Sequence, residues 1–76
     1  MQSGAKLNDK MRQFTKAELS EKVTVTCYRQ TETMTREQAI DEYYEGMMMC
    51  DGSEAERYQT IYCQLMEGLT EVSDEV

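Results

Sequence analysis

The fold is decided by residues 35–69, which read TREQAIDEYYEGMMMCDGSEAERYQTIYCQLMEGL. The first half has apolar side chains at the three- and four-residue spacing of an amphipathic helix. Thr35 is a good N-cap with Gln38 as its capping-box partner, and Gly52 is suited to the left-handed conformation that ends a helix. We therefore predict a helix over about residues 35–50. Its apolar arc contains Ile40, Tyr43, Tyr44, Met47 and Met48.

The second half of this stretch repeats the same pattern. Ser53 is placed to cap a helix with Glu56 as its box partner, and Gly68 is placed to end it. This predicts a helix over about residues 54–68, after which Leu69 folds back onto its apolar face. The loop between the two helices is short enough to require an antiparallel or crossed helical hairpin. The apolar face contains Ala55, Tyr58, Ile61, Tyr62, Leu65 and Met66.

A shorter helix and a strand precede the hairpin. Thr15 and Glu18 form a capping box, and Phe14 and Leu19 occupy the staple positions around it. Residues 23–28 are β-branched and aromatic, which is typical of a strand. We expect Val23, Val25 and Cys27 to form its buried face.

The predicted strand needs a hydrogen-bonding partner. Residues 70–72 could add a short strand beside it, and a second copy or another protein could also pair with it. The sequence leaves these three possibilities open. The predicted fold is α+β and mainly helical. We divide it into a mobile basic arm (1–12), one small domain (13–72) and an acidic tail (73–76).

The charges are distributed unevenly along the 76 residues, whose formal net charge is −7. Residues 1–36 hold seven Lys and Arg against four Asp and Glu, a balance of +3. Residues 37–76 hold one basic residue against eleven acidic residues, a balance of −10. Because phosphate binding requires positive charge, we do not expect the second half to bind nucleic acid. A basic protein partner fits it better.

The cellular compartment is predicted from the cysteines and from apolar runs. No stretch approaches the roughly 20 apolar residues of a membrane span, and no apolar run typical of a signal peptide follows the first residues. The three cysteines are an odd number without a close pair, whereas secreted mini-proteins usually carry an even set. We therefore predict a cytoplasmic protein with reduced thiols.

The residues needed for catalysis or metal binding are scarce. The chain has no His, which removes the commonest general base near neutral pH. Cys27, Cys50 and Cys63 lie in no nucleophile motif and form no CxxC pair. We predict that the protein is not an enzyme and binds no cofactor or metal.

The candidate functional residues form an acidic surface on the first hairpin helix. Carboxylates recur there at four-residue steps without a Lys to neutralise them. An ordinary solvated helix face is the alternative explanation. Our hypothesis is a regulatory or accessory module that uses this surface to bind a basic partner. The predicted partner-binding residues are Glu37, Asp41, Glu42, Glu45, Met49 and Cys63.

Two other functions are open. The first is a structural homo-oligomer, most simply a homodimer, formed through the tyrosine-rich hairpin face or the strand at residues 23–28. The second is a DNA-binding regulator that uses basic residues of the arm and of the first helix. The basic residues are Lys6, Lys10, Arg12 and Lys16.

Part of the chain also resembles known sequences. The segments are TREQAI at 35–40, EGM at 45–47, CDGSE at 50–54 and Arg-Tyr at 57–58. Together they resemble short uncharacterised proteins that are carried on mobile elements of gut-dwelling Firmicutes. The resemblance covers residues 35–75 and implies an accessory protein of a mobile element. It implies no activity that could be assigned to individual residues.

Overall fold

The structure, a computed structural model, describes residues 14–75 of the chain. The basic arm predicted for residues 1–12 lies outside this range. The described residues form three helices and a three-stranded sheet, which confirms the α+β class. In chain order the elements are α1 (Lys16–Leu19), β1 (Lys22–Cys27), β2 (Gln30–Thr35), α2 (Arg36–Met49), α3 (Gly52–Met66) and β3 (Glu71–Ser73).

The sheet has the strand order β2-β1-β3, so that the predicted strand is its central strand. β1 pairs antiparallel with β2 and parallel with β3, and Val25 lies opposite Glu32 on one side and Val72 on the other. Of the three possible partners, the strand considered at residues 70–72 is therefore present, shifted by one residue. β2 was not predicted. Both edges of β1 are occupied within the chain, which leaves this strand no edge for pairing with a second copy.

A two-residue turn joins β1 to β2. Cys27 and Gln30 are paired, and the two residues between them, Tyr28 and Arg29, have φ of 53° and 66°. Positive φ at both central positions is the requirement of a type I′ hairpin turn, for which Asn-Gly is the usual sequence. Tyr-Arg carries no such signal, and for this reason the hairpin was missed.

The core lies between one face of the sheet and the two long helices. Val23 and Val25 are buried as predicted, whereas Cys27 is only partly buried. The helices cover these valines with the faces that their apolar spacing predicts. The buried hydrophobic residues are Val23, Val25, Met34, Ala39, Ile40, Tyr43, Ile61, Leu65 and Val72.

The apolar arc predicted for α2 is correct at its centre and wrong at one edge. Ile40 and Tyr43 are buried, and Tyr44 and Met47 are partly buried. Met48, which we placed in the same arc, is 66% exposed. It lies five positions after Tyr43, about 140° around the helix at 100° per residue, which turns it away from the buried face.

Two predicted helix starts are confirmed. At α1 the Thr15 hydroxyl accepts a hydrogen bond from the Glu18 N–H, while the Glu18 carboxylate accepts one from the Thr15 N–H. At α2 the Thr35 hydroxyl accepts a hydrogen bond from the Gln38 N–H at 3.2 Å. α1 itself spans only four residues, one turn rather than the expected short helix of about two turns.

The junction between α2 and α3 differs from the prediction. Cys50 and Asp51 are extended, so that α2 ends at Met49. Gly52 does adopt a positive φ of 63°, but it begins α3 and does not end α2. Asp51 is therefore the N-cap residue, and the prediction that Ser53 caps the second helix is wrong.

The end of α3 follows the prediction at Gly68 but not at Leu69. Gly68 has φ of 94°, and the N–H groups of Gly68 and Leu69 donate to the carbonyls of Leu65 and Gln64. This is the Schellman arrangement that glycine favours at a helix end. Leu69 is 45% exposed and does not cover the apolar face as expected.

The two long helices run in opposite directions. Arg36, at the start of α2, donates to the carbonyl oxygen of Leu65 near the end of α3. Gly46, near the end of α2, lies against Tyr58 near the start of α3. The chain beyond α3 also belongs to the domain: Ser73 lies in β3, and the side chain of Asp74 is 0% exposed.

Candidate functional site: an acidic, tyrosine-lined groove

The predicted acidic residues of α2 all reach solvent. Glu37, Asp41 and Glu45 follow one another at four-residue steps, and Glu42 lies beside them, all with exposed side chains. Within residues 14–75, no Lys or Arg forms an ion pair with any of these four carboxylates. The described residues therefore do not neutralise the negative charge of this surface by ion pairs.

Glu42 differs from the other three because it borders a groove between the β1–β2 hairpin and the helices. The groove has a volume of about 390 Å³, within the roughly 300–1,000 Å³ range of ligand pockets. We call it the tyrosine groove. Its lining residues are Val25, Cys27, Tyr28, Gln30 and Glu32 of the hairpin, Glu42, Tyr43 and Gly46 of α2, and Tyr58 of α3.

Tyr43 is the most deeply placed polar side chain of the groove. Only 7% of its surface is exposed, and no hydrogen bond joins its hydroxyl to any residue in the range 14–75. Burial raises the pKa of Tyr43 far above its ordinary value, and the negative charges of Glu42 and Glu32 add to this rise. The phenol is therefore neutral, and it lies close to both carboxylates of the groove.

Gly46 allows α3 to approach this site. A Cβ atom at Gly46 would lie 2.9 Å from Cδ2 and 3.0 Å from Cγ of Tyr58, closer than real Cβ contacts allow. The Tyr58 ring therefore packs directly against the backbone of α2. From there it meets the Tyr43 ring with a centroid separation of 5.6 Å and an interplanar angle of 52°. Such tilted pairs are favourable aromatic contacts.

A polar cluster closes the end of the groove at Tyr28. The Asp74 carboxylate accepts hydrogen bonds from the Tyr28 N–H at 3.0 Å and from Arg57 at 2.6 Å. The Arg57 guanidinium lies over the Tyr28 ring, 4.4 Å from its centroid, and the Tyr28 hydroxyl donates to Glu54 at 3.0 Å. These contacts hold Tyr28, the first positive-φ residue of the turn, in place. They also occupy the only basic side chain of α3.

At the opposite end of the two long helices, Arg36 joins separate segments of the chain through its side-chain hydrogen bonds. The sequence alone did not indicate this role. Arg36 is 1% exposed, lies beside the Phe14 ring, and pairs with Glu21 at 2.8 Å. Its remaining N–H groups donate to backbone carbonyls at the ends of α1 and α3, two of which also accept a backbone N–H. These acceptors belong to Glu18, Leu65, Gly68 and Leu69. Arg36 is therefore a structural residue.

The structure does not bring all six predicted partner-binding residues together. Met49, at the end of α2, is 79% exposed and follows the acidic residues along the same helix. Cys63 is exposed, but it lies on α3 in a shallow hollow that α3 residues alone line. It does not belong to the α2 surface. Glu32, which the sequence analysis missed, faces the groove because the unpredicted strand β2 carries it there.

The three thiols are free, and the pKa values of two of them are raised. Burial raises the pKa of Cys27, and the nearby Asp74 carboxylate raises it further. Burial also raises the pKa of Cys50, and the negative charges of Glu54 and Asp51 raise it further. No group of three potential metal ligands occurs among residues 14–75. None of the helices in this range is long and apolar enough to cross a membrane.

Comparisons with protein-family models, with curated proteins and with solved structures found no match to this chain. The candidate site is therefore interpreted from its own geometry and charge.

Proposed function

We propose that this protein is a small interaction module that binds a basic protein segment along α2 and in the tyrosine groove. The observation that carries the proposal is that Glu32, Glu42 and Tyr43 line one groove, in which no Lys or Arg of residues 14–75 is a lining residue. Carboxylates and aromatic rings together attract the cationic side chains of Lys and Arg. Glu37, Asp41 and Glu45 extend the same negative field along the helix.

The test is a charge reversal with a matched control. Hexalysine, a basic probe, is titrated into the labelled protein at low and high salt and binding is followed by fluorescence anisotropy. The triple variant D41K/E42K/E45K should abolish binding, because it reverses the field of α2. The control E56K/E67K/E71K changes the net charge equally, but at exposed positions on α3, its C-cap and β3. An equal loss of hexalysine binding in the triple variant and in the control would contradict a localised binding surface.

Self-association is a second candidate, because Met48 and Met49 expose large apolar side chains at the end of α2. Methionines of this kind are adaptable in protein contacts. The two surfaces first considered for a dimer are less suitable: β1 is paired on both edges, and the hairpin tyrosines contact one another within the chain. A salt-resistant dimer in sedimentation that M48K/M49K converts to monomers would support this candidate.

DNA binding has weaker support. Arg57, the only basic residue of α3, is already bound to Asp74 and stacked on Tyr28. A mobile-element origin rests on the resemblance over residues 35–75 alone. In that setting the basic partner would be a protein of the element or of its host.

A further inference from the structure

We infer that the tyrosine groove is a pocket for one arginine side chain of the basic partner. This inference rests on the proposed function and names the chemical group that the site recognises. The groove lies between the hairpin and the helices, and its volume of about 390 Å³ accommodates a single long side chain.

The polar groups of the groove match a guanidinium group. Glu32 and Glu42 supply carboxylate oxygens, and the Tyr43 hydroxyl supplies a further acceptor. Tyr43 is 93% buried, as its 7% exposure implies, and no hydrogen bond joins its hydroxyl to another described residue. A guanidinium carries five N–H donors in one plane and can donate to several acceptors at once, whereas an ammonium donates from a single point.

The aromatic rings favour the same ligand. A planar guanidinium stacks on an aromatic face more readily than an ammonium does. This chain already uses the contact twice, with Arg57 over Tyr28 and Arg36 over Phe14 at 4.4 and 5.2 Å. Tyr28 is thereby occupied, which leaves Tyr43 and Tyr58 as the rings available in the groove.

The experiment compares three probes of equal length: hexa-arginine, hexalysine and the neutral isostere hexa-citrulline. Hexa-arginine and hexalysine carry the same charge, so the long-range attraction to the acidic surface is the same for both. The difference between their affinities therefore measures the contribution of the groove. We expect hexa-arginine to bind about five- to tenfold more tightly than hexalysine, and hexa-citrulline not to bind. The backbone amides of Glu32, Glu42 and Tyr43 should show the largest NMR shift changes.

Two variants and one control test whether the groove causes the tighter binding of hexa-arginine. E32Q and Y43F each remove one acceptor, and each should reduce the arginine-to-lysine ratio toward one. E37Q removes the same charge as E32Q from an exposed position of α2 outside the groove, and it should keep the ratio. Because Glu32 and Glu37 are exposed, both Gln variants retain core packing, which near-ultraviolet circular dichroism verifies.

The outcomes separate the two proposals. Equal affinity for hexa-arginine and hexalysine, with binding still lost in D41K/E42K/E45K, would overturn the arginine pocket and leave the basic-partner function standing. A ratio that E37Q lowers as much as E32Q would overturn it too. If neither basic peptide binds, both proposals are wrong.

Discussion

The Asp74 carboxylate accepts a hydrogen bond from the backbone N–H of Tyr28, a residue 46 positions earlier in the chain. The contact joins the segment after β3 to the turn between β1 and β2. Tyr28 has a positive φ, which is unfavourable for a residue with a Cβ. Asp74 therefore helps to maintain a turn conformation that its own residues do not favour.

This contact predicts a pH dependence of stability. The pKa of Asp74 is lowered, chiefly by the Tyr28 N–H and then by Arg57, against the opposing effect of burial. A carboxylate with a lowered folded-state pKa stabilises the fold above its unfolded pKa, about 4, and the contribution is lost as the pH falls through the folded value. We expect the urea midpoint to fall as the pH decreases below about 4.

D74N tests this assignment. It removes the charge, and should therefore lower the urea midpoint at neutral pH and flatten its decrease in acid. E75Q, which changes the exposed carboxylate next to it, should behave as the wild type does. The same acid profile in D74N and wild type would show that other carboxylates dominate.

Arg36 is expected to be the most sensitive charged position of the described domain. Replacing it by Met retains the apolar stem but removes five hydrogen bonds, and among their acceptors the carbonyls of Gly68 and Leu69 have no backbone donor in the described residues. Leaving such groups unsatisfied should lower the free energy of unfolding by about 3 kcal/mol or more. R36K should recover little, because one ammonium cannot reach carbonyls on two helices. Urea denaturation measures the free energy of unfolding of R36M and R36K. The control is K22M, a substitution at an exposed position.

Gly46 and Tyr58 are expected to be energetically coupled. In G46A the new Cβ would contact the Tyr58 ring at about 3 Å, and the overpacking, about 1–3 kcal/mol, should outweigh the helix-propensity gain of about 1 kcal/mol. In a Y58A background the ring is absent, so the same substitution should stabilise the protein. Additive effects of the two substitutions in denaturation experiments would contradict this contact.

The three thiols should react in a defined order. Cys63 is exposed, whereas burial raises the pKa of both Cys27 and Cys50 and reduces their thiolate fractions. We expect iodoacetamide to label Cys63 first, as measured by mass spectrometry of peptides over time. D74N should accelerate labelling of Cys27 in particular, because it removes a negative charge beside that thiol. Preferential labelling of Cys27 in the wild type would contradict the burial of its thiol.

The two long helices and their exposed carboxylates were predictable because their signals are local. Apolar residues recur with the helical period, Thr35 caps α2, and Gly68 ends α3. Periodicity also separated the solvent-facing Glu37 and Asp41 from the buried Ile40. Each of these features depends on residues within about two helical turns of one another, a distance over which the sequence determines structure directly.

The tyrosine groove was not predictable, because it requires β2 and the Tyr28–Arg29 turn that brings Glu32 opposite Glu42. That turn lacks the Asn-Gly signal and is held by Asp74, Arg57 and Glu54. Arg36 likewise looks like an ordinary first-turn residue until the end of α3 meets it. Sequence thus determined the helices, the strand β1 and the sign of the surface charge. Only tertiary structure decided the groove, because its groups come from segments that meet through contacts far apart in the chain.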